Sequence, residues 1–459
     1  MELNGKHVLV VGLGKSGVAS ALFLKAHGAR VTVSDTKSGD ELRNEIPVLL
    51  DHGITVETGG HGERTFRGQD LIVVSPGVPV DAPPLVQARG LGENVIGEIE
   101  LAAQFLPGPI VAITGSNGKT TTTTLVGEIL AAGGFPTLVG GNIGTPAISL
   151  AERAKPETVT VLEVSSFQLE TIQAFHPKVA VVLNVTPDHL DRHRTFEIYA
   201  NAKARVFENQ QGSDFAVLNA DDPTTVTMAS RTRARVFWFS RQKEVDQGAW
   251  VREANIMFRD ANDQREILQV SDIPLKGAHN LENALAAVCA GMLMGCAPQK
   301  IRDAVRSFRA VEHRLEFVAT IGGVDYYNDS KATNVDATIK ALESFPANIH
   351  LILGGKDKGS DYTVLNDLLR KRVKRIYTIG AAAAKIESQI VAAKDGGPEV
   401  VHSQTLENAI RSAHAAAKPG DIVLLAPACA SFDQFKSYEH RGQVFKQIVK
   451  TLAAEPKAN

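Results

Sequence analysis

The residues of this chain best suited to chemistry lie in Thr114-Gly115-Ser116-Asn117-Gly118-Lys119-Thr120, where an apolar run breaks into glycines and then into a lysine and hydroxyls. Glycine at 115 and 118 permits backbone angles that turn successive N–H groups toward one point. The helix that follows adds a partial positive charge there. A lysine after such a turn reaches the β- and γ-phosphates of a nucleoside triphosphate, and the next hydroxyl can ligate Mg²⁺. The usual phosphate loop has glycine where this chain has Ile113, so the match is to a shortened loop. Glu163 and His189 follow strand-like runs at 158–164 and 179–185. In a parallel α/β sheet those strand ends share one edge with the phosphate loop. A carboxylate and an imidazole there can hold a metal that bridges the triphosphate and a second substrate. Lys203 falls on a helix, and by spacing alone it reads as a solvent-facing charge with a buried stem.

Placing these groups takes a strand at 109–113 and a helix at 120–130. Upstream, a strand at 7–11 runs into Gly12-Leu13-Gly14-Lys15-Ser16-Gly17, a helix to His27, and a second strand at 30–34 ending on Asp35. This βαβ unit with G-x-G-x-x-G suits a dinucleotide or another diphosphate-linked nucleotide such as a UDP-sugar, and the spacing does not choose. A strand at 70–74 leads into the rigid turn Ser75-Pro76-Gly77; His61 reads as a solvated loop histidine. Gly97 to Glu100 begins a helix that faces Ile99, Leu101, Ala102 and Phe105 one way. A strand at 215–220 ends in Asp221-Asp222-Pro223, and the short apolar runs between 230 and 275, at 235–239 and 267–270, suggest a small antiparallel appendage. Helix follows at 277–288. The remainder reads as a third α/β unit with strands at 324–327, 350–353, 375–379, 400–401 and 421–425 and an alanine-rich helix near 381–393. Its polar clusters, at 328–331, 354–358 and 428–432, again sit at strand ends.

A chain of 459 residues should form about three domains, and we divide it at 1–97, 98–310 and 311–459. Apolar content of 44%, charged content of 22% and 39 glycines suit an α/β protein rich in tight turns. A net charge of −2 argues against a nucleic-acid backbone as the main partner. Cys289, Cys296 and Cys429 are widely spread and lack metal-ligand spacing, which predicts free thiols in a reducing compartment. With no signal-peptide pattern and no apolar run of about 18 residues, a cytoplasmic protein without a membrane span is expected.

Taken together, the phosphate loop, Glu163-Val164-Ser165-Ser166-Phe167-Gln168, Asn184-Val185-Thr186-Pro187-Asp188-His189, His279-Asn280 with Asn283-Ala284, and His313-Arg314 resemble the Mur ligase family over essentially the whole chain. Within it, the strings from Asn328 to Asn334 and from Pro427 to Phe435 resemble the member that adds D-glutamate; siblings that add L-alanine, a diamino acid or D-Ala-D-Ala carry different strings at the first of these places.

The resemblance implies three α/β domains: an N-terminal Rossmann-like domain for the UDP end of the acceptor, a central P-loop-type ATPase with a parallel sheet, and a C-terminal Rossmann-like domain for the amino acid. The implied activity is ATP-dependent amide formation through an acyl phosphate, on UDP-N-acetylmuramoyl-L-alanine and D-glutamate, by a monomer. By motif match, Lys15, Ser16, Asp35, Thr36 and Lys37 contact uracil and phosphate. Ser75, Pro76 and Gly77, with Asn142, Ser165 and Gln168, contact the rest of the acceptor. ATP is implied at Gly115, Ser116, Asn117, Gly118, Lys119, Thr120, Thr121, Asn280, Asn283, Arg314, Asp329 and Lys331. D-Glutamate is implied at Thr333, Lys358, Ser431, Phe432 and Tyr438. Two Mg²⁺ ions fall to Thr120 or Ser116, Glu163, His189 and Lys203, the last carbamylated by CO₂. That carbamate overrides the solvent-facing reading of Lys203, and it makes His189 a metal ligand instead of a general base. Three domains that each bring one substrate imply a hinge near 310–314.

Overall fold

Near-continuous runs of Val, Ile and Leu buried on both faces build three sheets in the computed structural model, which describes residues 1–261, 263–275, 277–309, 312–390 and 396–454. The first sheet is wholly parallel. It comprises β1 (His7–Val11), β2 (Arg30–Ser34), β3 (Thr55–Glu57), β4 (Leu71–Val74) and β5 (Val95–Gly97), in the order β3-β2-β1-β4-β5. The second carries β6 (Ile110–Thr114), β7 (Thr137–Gly141), β8 (Val159–Glu163), β9 (Val179–Val182), β10 (Phe215–Asn219), β11 (Arg235–Ser240), β12 (Gly248–Arg252), β13 (Asn255–Arg259) and β14 (Gln264–Gln269). Its order is β14-β13-β12-β11-β10-β9-β6-β8-β7. The third holds β15 (Glu316–Ile321), β16 (Val324–Asn328), β17 (Ile349–Gly354), β18 (Val373–Ile379), β19 (Glu399–Gln404) and β20 (Ile422–Leu425), in the order β15-β16-β20-β17-β18-β19.

Two expectations need correction. The 235–239 run is not part of an antiparallel appendage: β11 pairs in parallel with β10 and continues the main sheet. The reason is the crossover helix Pro223–Met228, which Asp222 caps by accepting the Thr224 and Thr225 N–H groups. Only β12 to β14 run antiparallel to one another, on that same sheet. The run at 179–185 leaves the ladder after Val182, because side chains take over its backbone: Asn219 donates to the Leu183 carbonyl and Asp222 accepts the Val185 N–H. Strand β15 adds to the expected set: Gly322 and Gly323, both at positive φ, close its two-residue hairpin with β16. The alanine-rich helix spans Ala383–Gln389; residues 391–393 of that expectation, and residues 310–311 at the expected hinge and domain boundary, lie outside the described residues. Among the described residues no helix is long and apolar enough to cross a membrane.

The chain forms two compact units, Met1–Ile273 with Glu282–Phe308, and Pro274–Leu281 with Arg309–Asn459. Within the first, one apolar core is continuous from Val8 and Val10 to Ala180 and Val182. The connecting helix Glu98–Ala103 is buried and its acids serve as backbone acceptors: Glu98 takes the Ile148 N–H, and Glu100 takes those of Gln173, Ala174 and Phe175. Burial pushes the Glu98 carboxyl up to about 7, opposed by the Ile148 N–H. The folded state therefore binds this proton more tightly than the unfolded chain, so the contribution of Glu98 to stability falls as pH rises from about 4.5 to about 7. Glu98→Gln removes the ionisation and keeps the acceptor. Relative to the parent, it is expected to be more stable at pH 8 than at pH 5, by up to about 3 kcal/mol. Thermal melts at the two pH values check the sign.

Candidate active site

The phosphate-loop turn closes against the β9 exit. Gly115 (φ +149°) adopts a conformation that strains side-chain-bearing residues, and a Cβ there would stand a tight 3.0 Å from that of Leu183 and 3.3 Å from the Asn184 amide. At Gly118 (φ +86°) a Cβ would come within 2.1 Å of Asn283 Oδ1. Asn184 pins the loop: its carbonyl accepts the Ser116 N–H and its Oδ1 the Asn117 N–H, both at 2.9 Å. The helix Lys119–Ala132 starts directly at Gly118, so the positive end of its dipole faces the turn. Ile113, where a longer loop would carry glycine, is a fully buried strand residue.

Around this turn the structure gathers the predicted groups of the central sheet. Lys119 Nζ donates to the carbonyls of Gly115 (2.8 Å) and Ser116 (3.0 Å). Thr120 Oγ1 donates to Glu163 Oε2 at 2.8 Å, and Asn142 Nδ2 to Glu163 Oε1 at 2.8 Å. Thr121 is buried in the first turn of the same helix. The Ser116 hydroxyl donates to the Thr186 carbonyl, accepts the Thr186 N–H and lies 3.0 Å from Tyr199 OH. His189, in a left-handed conformation (φ +53°), packs edge-on to Phe167 beside Asp188. Ser165 and Gln168 form a capping box at the start of the helix Ser166–Leu169.

Lys203 corrects the reading from spacing. Its side chain is 1% exposed, Nζ donates to the Gly115 carbonyl at 2.8 Å, and it lies 4.5 Å over the Tyr199 ring one turn earlier. Burial, helped by the nearby Lys119 charge and opposed by Asp188 and Glu163, holds this amine well below the ordinary lysine range. The amine thus gives up its proton more readily than an exposed lysine does. Asp188, Asn184 and Tyr199 carry these arrangements without a site role in the sequence motifs; the i, i+4 spacing of Tyr199 and Lys203 is the available signal.

In the first sheet, the helix Lys15–Ala26 starts at Gly14, with Lys15 exposed and Ser16 half-buried at its N-terminus. Asp35 spends its carboxylate on backbone, accepting the Leu13 N–H at 2.7 Å and the Lys37 N–H at 2.8 Å; Thr36 and Lys37 are exposed. The Ser75 hydroxyl donates to the Gly12 carbonyl at 2.7 Å, which joins the 75–77 turn to the glycine loop. His61 is not solvated as expected. It is half-buried, its Nδ1 lies 2.8 Å from Ser34 Oγ, its ring meets Phe66 edge-on, and desolvation lowers its pKa.

The second unit gathers its own cluster. Asp329 is buried, which pushes its carboxyl up to about 7 against the nearby Arg314 charge. Lys331 Nζ stands 5.1 Å over the Tyr438 ring, and Thr333 N–H donates to the Lys331 carbonyl. Asn280 lies in the first turn of the helix Ala278–Leu293. Ser431 is buried, whereas Phe432 and Lys358 are exposed. Lys356 and Ala430 exchange backbone hydrogen bonds, holding the 355–358 and 428–431 loops together. Arg441, fully buried and unforeseen from sequence, donates to Ser330 and to the carbonyls of Cys429 and Ala430.

Three family models match the chain in succession: the Mur ligase MurD-like N-terminal domain over residues 6–97, the Mur ligase middle domain over 113–291 and the Mur ligase glutamate ligase domain over 313–429. A UDP-N-acetylmuramoylalanine–D-glutamate ligase of Koribacter versatilis is 66% identical, with 100% of both chains covered. One of Acidobacterium capsulatum is 60% identical, covering 98% of this chain and 97% of its own. Among solved structures, a pseudomurein peptide ligase type C from Methanothermus fervidus matches with a TM-score of 0.61 at 19% identity, over 98% of this chain and 100% of that one. The UDP-N-acetylmuramate–alanine ligase of Thermotoga maritima matches at 0.59 and 19%, over 97% and 99%. At that identity these two speak for the fold alone.

Proposed function

The chain belongs to the Mur ligase family, and from that premise we propose that it joins D-glutamate to UDP-N-acetylmuramoyl-L-alanine at the expense of ATP, a step in peptidoglycan precursor synthesis. The observation that carries this reading is the cluster of Lys119, Thr120, Glu163 and Lys203 around one glycine turn, in a chain 66% identical over its full length to a ligase of that name.

A carboxylate and an amine form a salt, not an amide, because oxide is a very poor leaving group. The L-alanyl carboxylate therefore attacks the γ-phosphorus of ATP and ADP departs, leaving an acyl phosphate. The D-glutamate amine adds to its carbonyl carbon, and the tetrahedral intermediate collapses to the amide and phosphate as the nitrogen loses its proton. Little covalent chemistry falls to the protein, so positioning and charge neutralisation dominate. Lys119 and the amides at the start of its helix are assigned the phosphates; by motif match Asn280 and Asn283 are assigned the nucleoside, and Arg314, Asp329 and Lys331 are assigned to ATP as well.

The donor set suits Mg²⁺ in part: Thr120 or Ser116 and Glu163 are hard oxygen ligands and His189 adds an imidazole, but an amine at Lys203 is no ligand for it. A neutral buried amine does react with CO₂, and the resulting carbamate supplies the missing anionic oxygens. Two Mg²⁺ ions held by these residues would neutralise phosphate charge when bound.

The acceptor's UDP end belongs to the glycine loop, with Lys15, Ser16, Asp35, Thr36 and Lys37, and its sugar to Ser75–Gly77, Asn142, Ser165 and Gln168. Both carboxylates of D-glutamate need partners, and Lys358, Thr333 and Ser431, beside Phe432 and Tyr438, have the right chemistry. We assign residues 1–97, 98–310 and 311–459 to acceptor, ATP and amino acid, in a cytoplasmic monomer; three buried free cysteines suit that compartment. Incorporation of radiolabelled amino acid into the UDP-linked acceptor tests the choice: label from D-glutamate is expected, and label from L-lysine or L-alanine in its place would overturn it.

A further inference from the structure

Arg192 stands three residues past His189, on the short helix Leu190–His193, yet its guanidinium reaches the acceptor turn of the first sheet. Nη2 donates to the Val78 carbonyl at 3.0 Å and to Glu170 Oε2 at 2.6 Å, and Nη1 lies 3.5 Å from the Gly77 carbonyl. The guanidinium carbon sits 4.7 Å over the Phe167 ring, whose other neighbours are His189 and the stacked ring of His193. The side chains of Arg192 and Glu170 are only 14% and 15% exposed, so this ion pair is shielded and specific in geometry. Ser75, Pro76, Val78, Phe167 and Gln168 line one narrow slot beside it. Arg192 therefore fixes the separation between two places that one long substrate must touch at once: the 75–78 turn and the strand-end residues beside the phosphate loop.

We infer that Arg192, held by Glu170, is a positioning residue that sets the register of the acceptor carboxylate against the γ-phosphate. It does not touch the reacting atoms itself. A planar guanidinium is required because one group must serve two carbonyls and a carboxylate; an ammonium at the same place is a point donor. The inference rests on the acceptor reading given above.

The test compares the full chain with its Arg192→Ala, Arg192→Lys and Glu170→Gln variants, by steady-state phosphate release and by the inhibition constant of UDP, a ligand confined to the first sheet. A displacement of the acceptor's reactive end costs on the order of 10²-fold in kcat/KM, and that is the loss expected for Arg192→Ala. Arg192→Lys should fall between it and the parent. KM for ATP and the inhibition constant of UDP should stay within about twofold, because each reports one end alone. Glu170→Gln keeps the carbonyl contacts while freeing the guanidinium, so it should show a smaller loss with the same pattern, and it carries the test if Arg192→Ala does not fold. Variants that retain acceptor kcat/KM within about threefold, or that weaken UDP and ATP along with the acceptor, overturn the assignment. A parent enzyme that UDP does not inhibit sinks the acceptor reading instead.

Discussion

Replacing Lys119 with alanine is expected to abolish turnover, lowering the rate of phosphate release by about 10³-fold or more while the protein stays folded. The side chain is half-buried and curls over its own turn, where Nζ donates to the loop carbonyls of Gly115 and Ser116 and not into the apolar core. What goes is the cation assigned to the phosphates, which would stand ready before charge moves in the transition state. Lys119→Arg is expected to fail as well. Nζ is a compact donor that reaches two carbonyls of its own turn, and a broader planar guanidinium does not reproduce that placement. Circular dichroism and a melting temperature within a few degrees of the parent separate a chemical loss from unfolding. An alanine variant that keeps a tenth of the parent rate contradicts the role.

Lys203→Ala is expected to lose at least about 10²-fold and then to recover part of that loss when short carboxylic acids are added. The argument begins with burial. An amine kept well below the ordinary lysine range by desolvation, with Lys119 close by, is nucleophilic toward CO₂ at pH values where an exposed lysine is almost fully protonated. Carbamylation would turn the electrostatic conflict between the two lysines into an attraction and would give the Glu163–Thr120 cluster a second anionic oxygen donor. A small carboxylate diffusing into the space left by Lys203→Ala can supply the same oxygens, whereas it does nothing for the parent. The pH dependence has a definite sign: as pH falls, the amine takes up a proton and the carbamate is lost, so parent activity should decline on the acid side and recover with added bicarbonate. Absence of rescue, together with a parent indifferent to removal of CO₂, would remove the carbamate from the account.

The phosphate loop and the first βαβ unit were legible because their signals are local. Glycines at forced positive φ, hydroxyls after a lysine and apolar runs of five residues determine their surroundings with little help from the rest of the chain. The burial of Lys203 was not legible in that way. Which face of the helix Phe196–Ala204 is covered depends on the Gly115 turn, which lies far away in sequence. The same holds for Arg441, whose acceptors come from two separate strand-end loops. For the 235–239 run the decisive signal was present and misread: Asp222-Pro223 is a helix start, and a helix between two strands brings the second back in parallel. His61 was misjudged because a glycine-rich loop is normally solvated, whereas here Gly59 and Gly60 donate to the carbonyls of Lys37 and Asp35 and fold the loop onto the end of β2.

The most direct measurement is phosphate release by the purified full-length protein with ATP, Mg²⁺, UDP-N-acetylmuramoyl-L-alanine and D-glutamate, each left out in turn. Sustained release only when all four are present is the predicted result. Release that continues without the acceptor or without D-glutamate, or none with the complete mixture, would contradict the account.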